Sequence, residues 1–137
     1  QRQMCIRDRI CLESVYPDSA RALVDSGAQA LAVLSNDAGF GWSPITDHMM
    51  KRAQLRALET GRWLIRVGQA GITSIVDPRG QTHGQLGLFT PDVLRGQIKL
   101  RDDQTPYVEW GDWWIVFISF MLATVVFLSL RSHPARA

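Results

Sequence analysis

Residue types that often mark a metal or cofactor site are scarce in this sequence. Its 137 residues include two cysteines and three histidines. Two cysteines exclude a disulfide-dense scaffold. The histidines, His48, His83 and His133, are too scattered for the Cys/His spacing of a zinc site, and no glycine-rich phosphate-binding loop is present. We therefore predict neither a metal ion nor a cofactor.

Charge of one sign is also scarce. Fifteen Lys and Arg stand against 13 Asp and Glu, and a net charge of +2 is too small to indicate nucleic-acid binding. Residues 10–112 hold ten basic and twelve acidic side chains, so the positive surplus lies in residues 1–9 and 131–137. Hydrophobic residues make up 46% of the chain, which excludes intrinsic disorder.

The longest stretch without charge is residues 113–130, WWIVFISFMLATVVFLSL. As a helix it is roughly 27 Å long, close to the roughly 30 Å hydrocarbon core of a bilayer. Tyr107 and Trp110 precede it, as in an interfacial aromatic belt, and Arg131 follows it. We predict a transmembrane helix, with residues 131–137 as a cytoplasmic tail and the body outside the cytoplasm. A buried core helix is the alternative.

The body, residues 10–112, alternates between strand and helix patterns, which predicts a layered α/β arrangement. A sheet of this size would have uncovered edges and faces, so we expect the C-terminal half of a larger domain. The expected elements are a strand leading into Ile10, a helix at 17–26 ending at Gly27, a strand at 30–36, a helix capped by Thr46 or Asp47 and ending at Gly61, and strands at 63–67, 72–76 and 93–100.

Cys11 lies between a predicted strand end and a predicted helix start. Backbone N–H groups and the helix dipole at such a place favour a thiolate and stabilise a developing oxyanion, so a nucleophile is expected there. Two structural interpretations stay open. Cys11 is either a small buried hydrophobe or half of a disulfide with Cys5.

Five short motifs follow one another along the body. They are CLE at 11–13, SNDA at 35–38, RALETGR at 56–62, GIT at 71–73 and DPRG at 77–80. In this order they resemble the nitrilase, or carbon–nitrogen hydrolase, superfamily. FT at 89–90, TPY at 105–107 and WGDW at 110–113, running into the apolar segment, are similar to the membrane-bound branch of that superfamily which completes bacterial lipoproteins.

The resemblance implies a fold and a reaction. The fold is a partial nitrilase-like αββα sandwich followed by one C-terminal transmembrane helix, with the catalytic domain on the periplasmic side of the bacterial inner membrane. The reaction moves an acyl chain from a phospholipid, through a cysteine thioester, to the N-terminal cysteine amine of a diacylglyceryl apolipoprotein. No nucleic acid takes part.

The resemblance also assigns roles to residues. Cys11 matches the nucleophile, and Glu13 matches an acidic residue that supports it. The family's general base and its oxyanion lysine lie upstream of the nucleophile, so neither is in this chain, and the chain alone is expected to be inactive. The backbone N–H of Leu12 is our candidate for a remaining oxyanion donor.

Asn36, Asp37, Phe40 and Trp42 are predicted to line the substrate site. Asn36 and Asp37 follow the strand predicted at 30–36, where they are also suited simply to capping its end. The family usually has Trp-Phe-Gly after Asn-Asp-Ala, and this chain has Gly-Phe-Gly, so Trp42 is a candidate to replace the missing aromatic at the lipid-facing mouth.

Three further expectations are structural. Residues 1–9, QRQMCIRDR, do not look like the family's upstream strand and are predicted to be a non-native leader. Arg56 and Glu59 are three residues apart on a predicted helix and are expected to form a structural ion pair, with an ordinary surface pair as the alternative. His48 is expected to be polar surface rather than a ligand.

Two other functions compete with acyl transfer. A nitrilase-type amidase would use the same cysteine on carbon–nitrogen bonds. A non-catalytic, membrane-anchored module would hold Cys11 only as a structural residue. The apolar segment argues against a soluble amidase.

Overall fold

The computed structural model describes residues 6–10 and 16–132. They form an α/β fold built on one mixed sheet with the strand order β1-β2-β3-β4-β5. The first three strands are parallel, and the last two run antiparallel to their neighbours. The elements are β1 (Ile6–Ile10), α1 (Pro17–Asp25), β2 (Ala30–Asn36), α2 (Ile45–Thr60), β3 (Trp63–Gln69), β4 (Thr73–Val76), β5 (Thr82–Leu86), α3 (Pro106–Trp110) and α4 (Trp113–Ser132).

The two body helices begin and end for reasons visible in the sequence. Pro17 occupies the first turn of α1, where its missing N–H costs no hydrogen bond. Gly61 ends α2 in the left-handed region at φ 64°, as predicted. The predicted cap of α2 is wrong, because Pro44 precedes the helix and no side chain in the described part of the protein caps it. Thr46 is instead buried in the first turn.

The core lies on the sheet face that α1 and α2 cover. On the opposite face, the paired residues Leu34 and Val67 are 46% and 44% exposed. The buried apolar side chains that pack together as the core are Ala20, Val24, Ala28, Leu31, Val33, Met50, Ala53, Ala57, Leu64, Ile72, Val76 and Val108.

The predicted strand at 93–100 is wrong: residues 91–105 form no regular element. The fifth strand is β5, and the sequence THGQL lacks the apolar run that favours a strand. The later segment instead packs on the sheet through two glycines. A Cβ on Gly84 would lie 2.9 Å from Leu94 Cδ1, and one on Gly96 would lie 2.5 Å from Ile75 Cδ1.

Helix α4 contains the apolar segment, and its large side chains are exposed along its length. Within residues 6–10 and 16–132, no helix is long and apolar enough to cross a membrane. The transmembrane prediction for residues 113–130 is therefore not confirmed.

The turn between β4 and β5 is organised by the carboxylate of Asp77. Oδ1 accepts the backbone N–H groups of Arg79 at 2.8 Å and of Gln81 at 2.9 Å, and Oδ2 lies 2.8 Å from His83 Nε2. Burial pushes the pKa of Asp77 up, but the hydrogen bonds from His83, Gln81 and Arg79 outweigh it and hold the pKa below its ordinary value.

Asp77→Asn is expected to destabilise the chain at pH 7 by about 1–2 kcal/mol, because hydrogen bonds to a charged acceptor are replaced by weaker ones. A lowered pKa stabilises the fold above the unfolded value of 3.8, and this contribution is lost as the pH falls through the folded value. The gap between the two proteins should therefore close below about pH 4 in urea unfolding. A gap that persists there, or an equal loss in the exposed control Asp25→Asn, would contradict this account.

Candidate functional site

The carboxyl ends of β1, β2 and β3 meet at one edge of the sheet, because the three strands are parallel. Strand β1 ends at Ile10, which pairs with Leu34 two residues before the end of β2. Cys11 is the next residue in the chain, and Cys11, Leu12 and Glu13 all lie outside the described residues. The described part of this edge consists of the segments that follow β2 and β3.

Asn36 shapes the turn after β2. Its Oδ1 accepts the backbone N–H of Ala38 at 3.1 Å, which starts a short 3-10 helix at Ala38–Phe40. This is the local side-chain bond typical of Asn at strand ends. Asn36 itself is exposed at the edge, where its amide group remains accessible.

Asp37 is paired with an arginine that the sequence did not single out. Asp37 Oδ2 lies 2.7 Å from Arg66 Nη2, and both side chains are 1% exposed. Arg66 stands on β3, on the same sheet face as Leu64, beneath the helices. In a buried pair of this kind each charge compensates the other, because an unpaired charge in a site that excludes water would strongly destabilise the fold.

The backbone of Gly71 lies close to the same carboxylate of Asp37. A Cβ on Gly71 would lie 2.0 Å from Asp37 Oδ2 and 2.7 Å from its Cγ. The backbone of Gly71 also donates to Gly68 O at 3.2 Å, which closes the tight turn between β3 and β4. The glycine of the GIT motif is therefore required for close approach, and it ties that turn to Asp37.

Gly71→Ala is expected to destabilise the chain by about 1–3 kcal/mol, because the added methyl overlaps a buried, ion-paired carboxylate. Gly39→Ala is the matched control, since a Cβ there meets nothing within 4 Å. Urea unfolding midpoints of the two variants measure the difference. Equal midpoints would show that Asp37 moves aside without cost.

An aromatic pair stands beside this turn. Trp42 is 80% exposed, and its ring centroid lies 5.5 Å from that of Phe89. Phe89 also lines a cavity of about 270 Å³ together with Gly68, Ala70 and Gly71. Ala70 and Phe89 adopt positive φ values of 59° and 54°, unusual for residues with a side chain, and the N–H of Phe89 donates to Ala70 O.

Several buried polar atoms of this region have no hydrogen-bond partner within the described ranges. Unpaired polar atoms in a protein interior destabilise the fold, so we expect water molecules or residues outside the described ranges to supply the missing hydrogen-bond partners. The atoms are Ser35 Oγ, Asp37 Oδ1, Thr46 Oγ1 and Arg66 Nε.

Arg56 and Glu59 form the expected ion pair, with Arg56 Nη2 3.0 Å from Glu59 Oε1 and side chains 7% and 19% exposed. It is a partly buried pair rather than a surface pair. Burial raises the pKa of Glu59, Arg56 opposes this, and Asp112 adds to it. His48 is exposed, as expected.

A family model describes most of the chain. The carbon-nitrogen hydrolase model matches residues 5–105. The chain belongs to the carbon-nitrogen hydrolase family. This confirms the superfamily resemblance and the α/β fold, and the matched range contains every predicted site residue.

Curated relatives narrow the resemblance. Apolipoprotein N-acyltransferases of Pseudomonas paraeruginosa and Pseudomonas aeruginosa are 37% and 36% identical over 125 residues, 91% of this chain. The enzyme of that name from Photobacterium profundum is 37% identical over 96% of the chain. The chain spans about a quarter of the length of these relatives, 24% or 25%.

Solved structures agree on the fold. Nit3 of Saccharomyces cerevisiae, a nitrilase-superfamily member, matches with a TM-score of 0.52 and 21% identity, covering 61% of this chain and 33% of its own. A carbon-nitrogen hydrolase from Helicobacter pylori matches with a TM-score of 0.54 and 17% identity, covering 60% and 36%. These likenesses support the nitrilase-like α/β fold.

Proposed function

We propose that this chain is part of an enzyme that transfers an acyl chain from a phospholipid to the N-terminal amine of a diacylglyceryl apolipoprotein. The observation that carries the proposal is the extent of the match. The family model ends at residue 105, whereas relatives named apolipoprotein N-acyltransferase match 91% or more of the chain. Their similarity therefore extends into the region of α3 and α4.

Cys11 is the proposed nucleophile. Its thiolate attacks the carbonyl carbon of the phospholipid ester, the lysophospholipid alkoxide leaves with a proton, and a thioester remains. The lipoprotein amine then attacks the thioester, loses a proton, and releases the free thiol. Ile10, the residue before Cys11 in the chain, ends β1 and pairs with Leu34, two residues before Asn36.

The remaining roles follow from the resemblance and the chemistry of acyl transfer. The N–H of Leu12 donates to the tetrahedral oxyanion, and Glu13 supports the nucleophile. The base and the oxyanion lysine come from the longer protein. No metal and no cofactor is needed for this reaction, because ester and thioester carbonyls react directly with a thiolate and an amine.

The described edge fits the substrates in two ways. Asn36 offers an accessible amide for polar groups of a substrate, while the buried Asp37 positions the turn through Arg66 and Gly71. Phe40, at the end of the short 3-10 helix, and the exposed Trp42, whose ring lies tilted by 44° against that of Phe89, are the proposed apolar mouth for the acyl chain.

We propose that residues 113–130 cross the bacterial inner membrane in the longer protein, although the described part of α4 does not by itself meet the length and apolarity of a span. Its exposed apolar side chains suit lipid contact. In this arrangement residues 10–112 are the periplasmic half-domain and residues 131–137 a cytoplasmic tail. Residues 6–9, which we predicted to belong to a non-native leader, pair with β2 as part of Ile6–Ile10, and the family model begins at residue 5.

The full-length protein, supplied with phospholipid and a diacylglyceryl peptide, is expected to release one lysophospholipid for each peptide acylated. The 137-residue chain alone is expected to release none. Ammonia from a simple amide, without lysophospholipid, would replace the proposal with a nitrilase-type amidase. Neither product from the full-length protein would support a non-catalytic module.

A further inference from the structure

A second cavity lies at the opposite edge of the sheet from Asn36 and Asp37. Its volume is about 490 Å³, within the range of small-ligand sites. It is bounded by the amino end of β3 and by the turn after β4, and we refer to it as the basic pocket. Its lining includes Trp63, Asp77, Arg79, His83, Lys99 and Arg101.

The one carboxylate among the residues that line the basic pocket is already fully engaged. Asp77 accepts two backbone N–H groups of its own turn and contacts His83. It makes no ion pair with Arg79 or Lys99, although its charge remains in the pocket wall. Within residues 6–10 and 16–132, neither Arg79 nor Lys99 has an ion-pair partner, and Arg101 pairs with Asp103 outside the pocket.

The wall of the pocket that contains Lys99 and Arg101 is held in place by buried polar contacts. Arg62, which is 2% exposed, donates to Ala28 O at 2.8 Å and to Asp103 O at 2.5 Å. The N–H of Arg101 donates to Gln29 O at 3.3 Å. The segment that carries Lys99 and Arg101 is thus fastened to the residues before β2 and β3.

Another wall of the pocket is aromatic and consists of Trp63 and His83. The rings of Trp63 and His83 are 5.2 Å apart and tilted by 48°. His83 Nε2 lies 2.8 Å from Asp77 Oδ2, and the two tilted rings form an angled aromatic surface next to the cations. A ligand that fits this pocket has an anionic group for Arg79 and Lys99 and a less polar part for the rings.

We propose that the basic pocket binds the phosphate group of a phosphate ester. Phosphate suits the combination of an arginine fork and a lysine point charge, because its unesterified oxygens, three in a monoester and two in a diester, accept from donors in two directions. The ester is either the headgroup of an anionic phospholipid or a soluble phosphate ester. The site is separate from the edge proposed for acyl transfer, so either proposal can fail without the other.

The test measures binding by calorimetry to the complete 137-residue chain in a neutral detergent. One probe is sn-glycerol 3-phosphate, and the other is short-chain phosphatidylglycerol, each compared with glycerol and short-chain phosphatidylcholine. Arg79→Gln with Lys99→Gln is expected to weaken binding at least tenfold. The matched control, Lys51→Gln with Arg52→Gln, removes two exposed cations of α2 and is expected to stay within twofold.

Each result decides the proposal. Binding of both phosphate probes supports a site for the phosphate ester itself, and binding of phosphatidylglycerol alone supports a lipid headgroup. No binding beyond the uncharged and zwitterionic probes overturns the proposal. Equal weakening in both double variants overturns it as well, since the effect would then be one of net charge.

Discussion

Cys11→Ser in the full-length protein is expected to lower acyl transfer about a thousandfold or more. A serine hydroxyl is far less acidic than a thiol and gives no comparable anion at neutral pH, so the ester carbonyl loses its nucleophile. Removing a catalytic nucleophile in other acyl-transfer enzymes costs rates of this order or greater. Lysophospholipid release from phospholipid measures the loss.

Mass spectrometry of the enzyme separates catalysis from folding in this test. The wild-type protein incubated with phospholipid alone should gain one acyl mass on the peptide that contains Cys11, and hydroxylamine should remove it. Cys11→Ser should gain none, while Ser26→Ala, an exposed one-atom change at the end of α1, should behave as wild type. Acyl transfer retained by Cys11→Ser would favour the non-catalytic interpretation of Cys11.

Much of the fold could be predicted because its signals are local. The apolar run at Ala30–Asn36 and the glycine at Gly61 give β2 and the end of α2 directly. The residues at 93–100 contain alternating apolar positions, but a strand there also needs a partner edge. The polar strand β5 occupies that edge beside β4. Neither Gly84 nor the polar sequence of β5 is typical of a strand, so β5 could not be predicted.

In the candidate site, too, the residues with a local sequence signal could be predicted, and those that depend on the tertiary fold could not. Asn36 and Asp37 could be located because they follow a predictable strand. The partner of Asp37 could not, because Arg66 stands alone in the strand WLIRVGQ and its direction depends on which face the helices cover. One feature of the sequence indicates this pairing. Arg66 is two residues from Leu64 in the strand and so lies on the same face, and an arginine buried on that face needs an acidic partner.

Arg66→Met is expected to destabilise the chain by about 3–5 kcal/mol. The substitution keeps an apolar stem but leaves Asp37 as an unpaired charge in a site that is 1% exposed. Urea unfolding followed by circular dichroism measures the loss. Arg101→Met is the matched control, because its pair with Asp103 is largely exposed and screened by water, and the loss there should be far smaller.

The double variant Asp37→Asn with Arg66→Met distinguishes the cost of an orphaned charge from the value of the pair. Burying two charges is expensive in itself, so removing both should restore most of the stability lost in Arg66→Met. Recovery would mean that the pair chiefly fixes the geometry of the turn after β2 against Gly71. If the double variant is as unstable as the single one, the pair itself stabilises the fold, and the carboxyl edge depends on it directly.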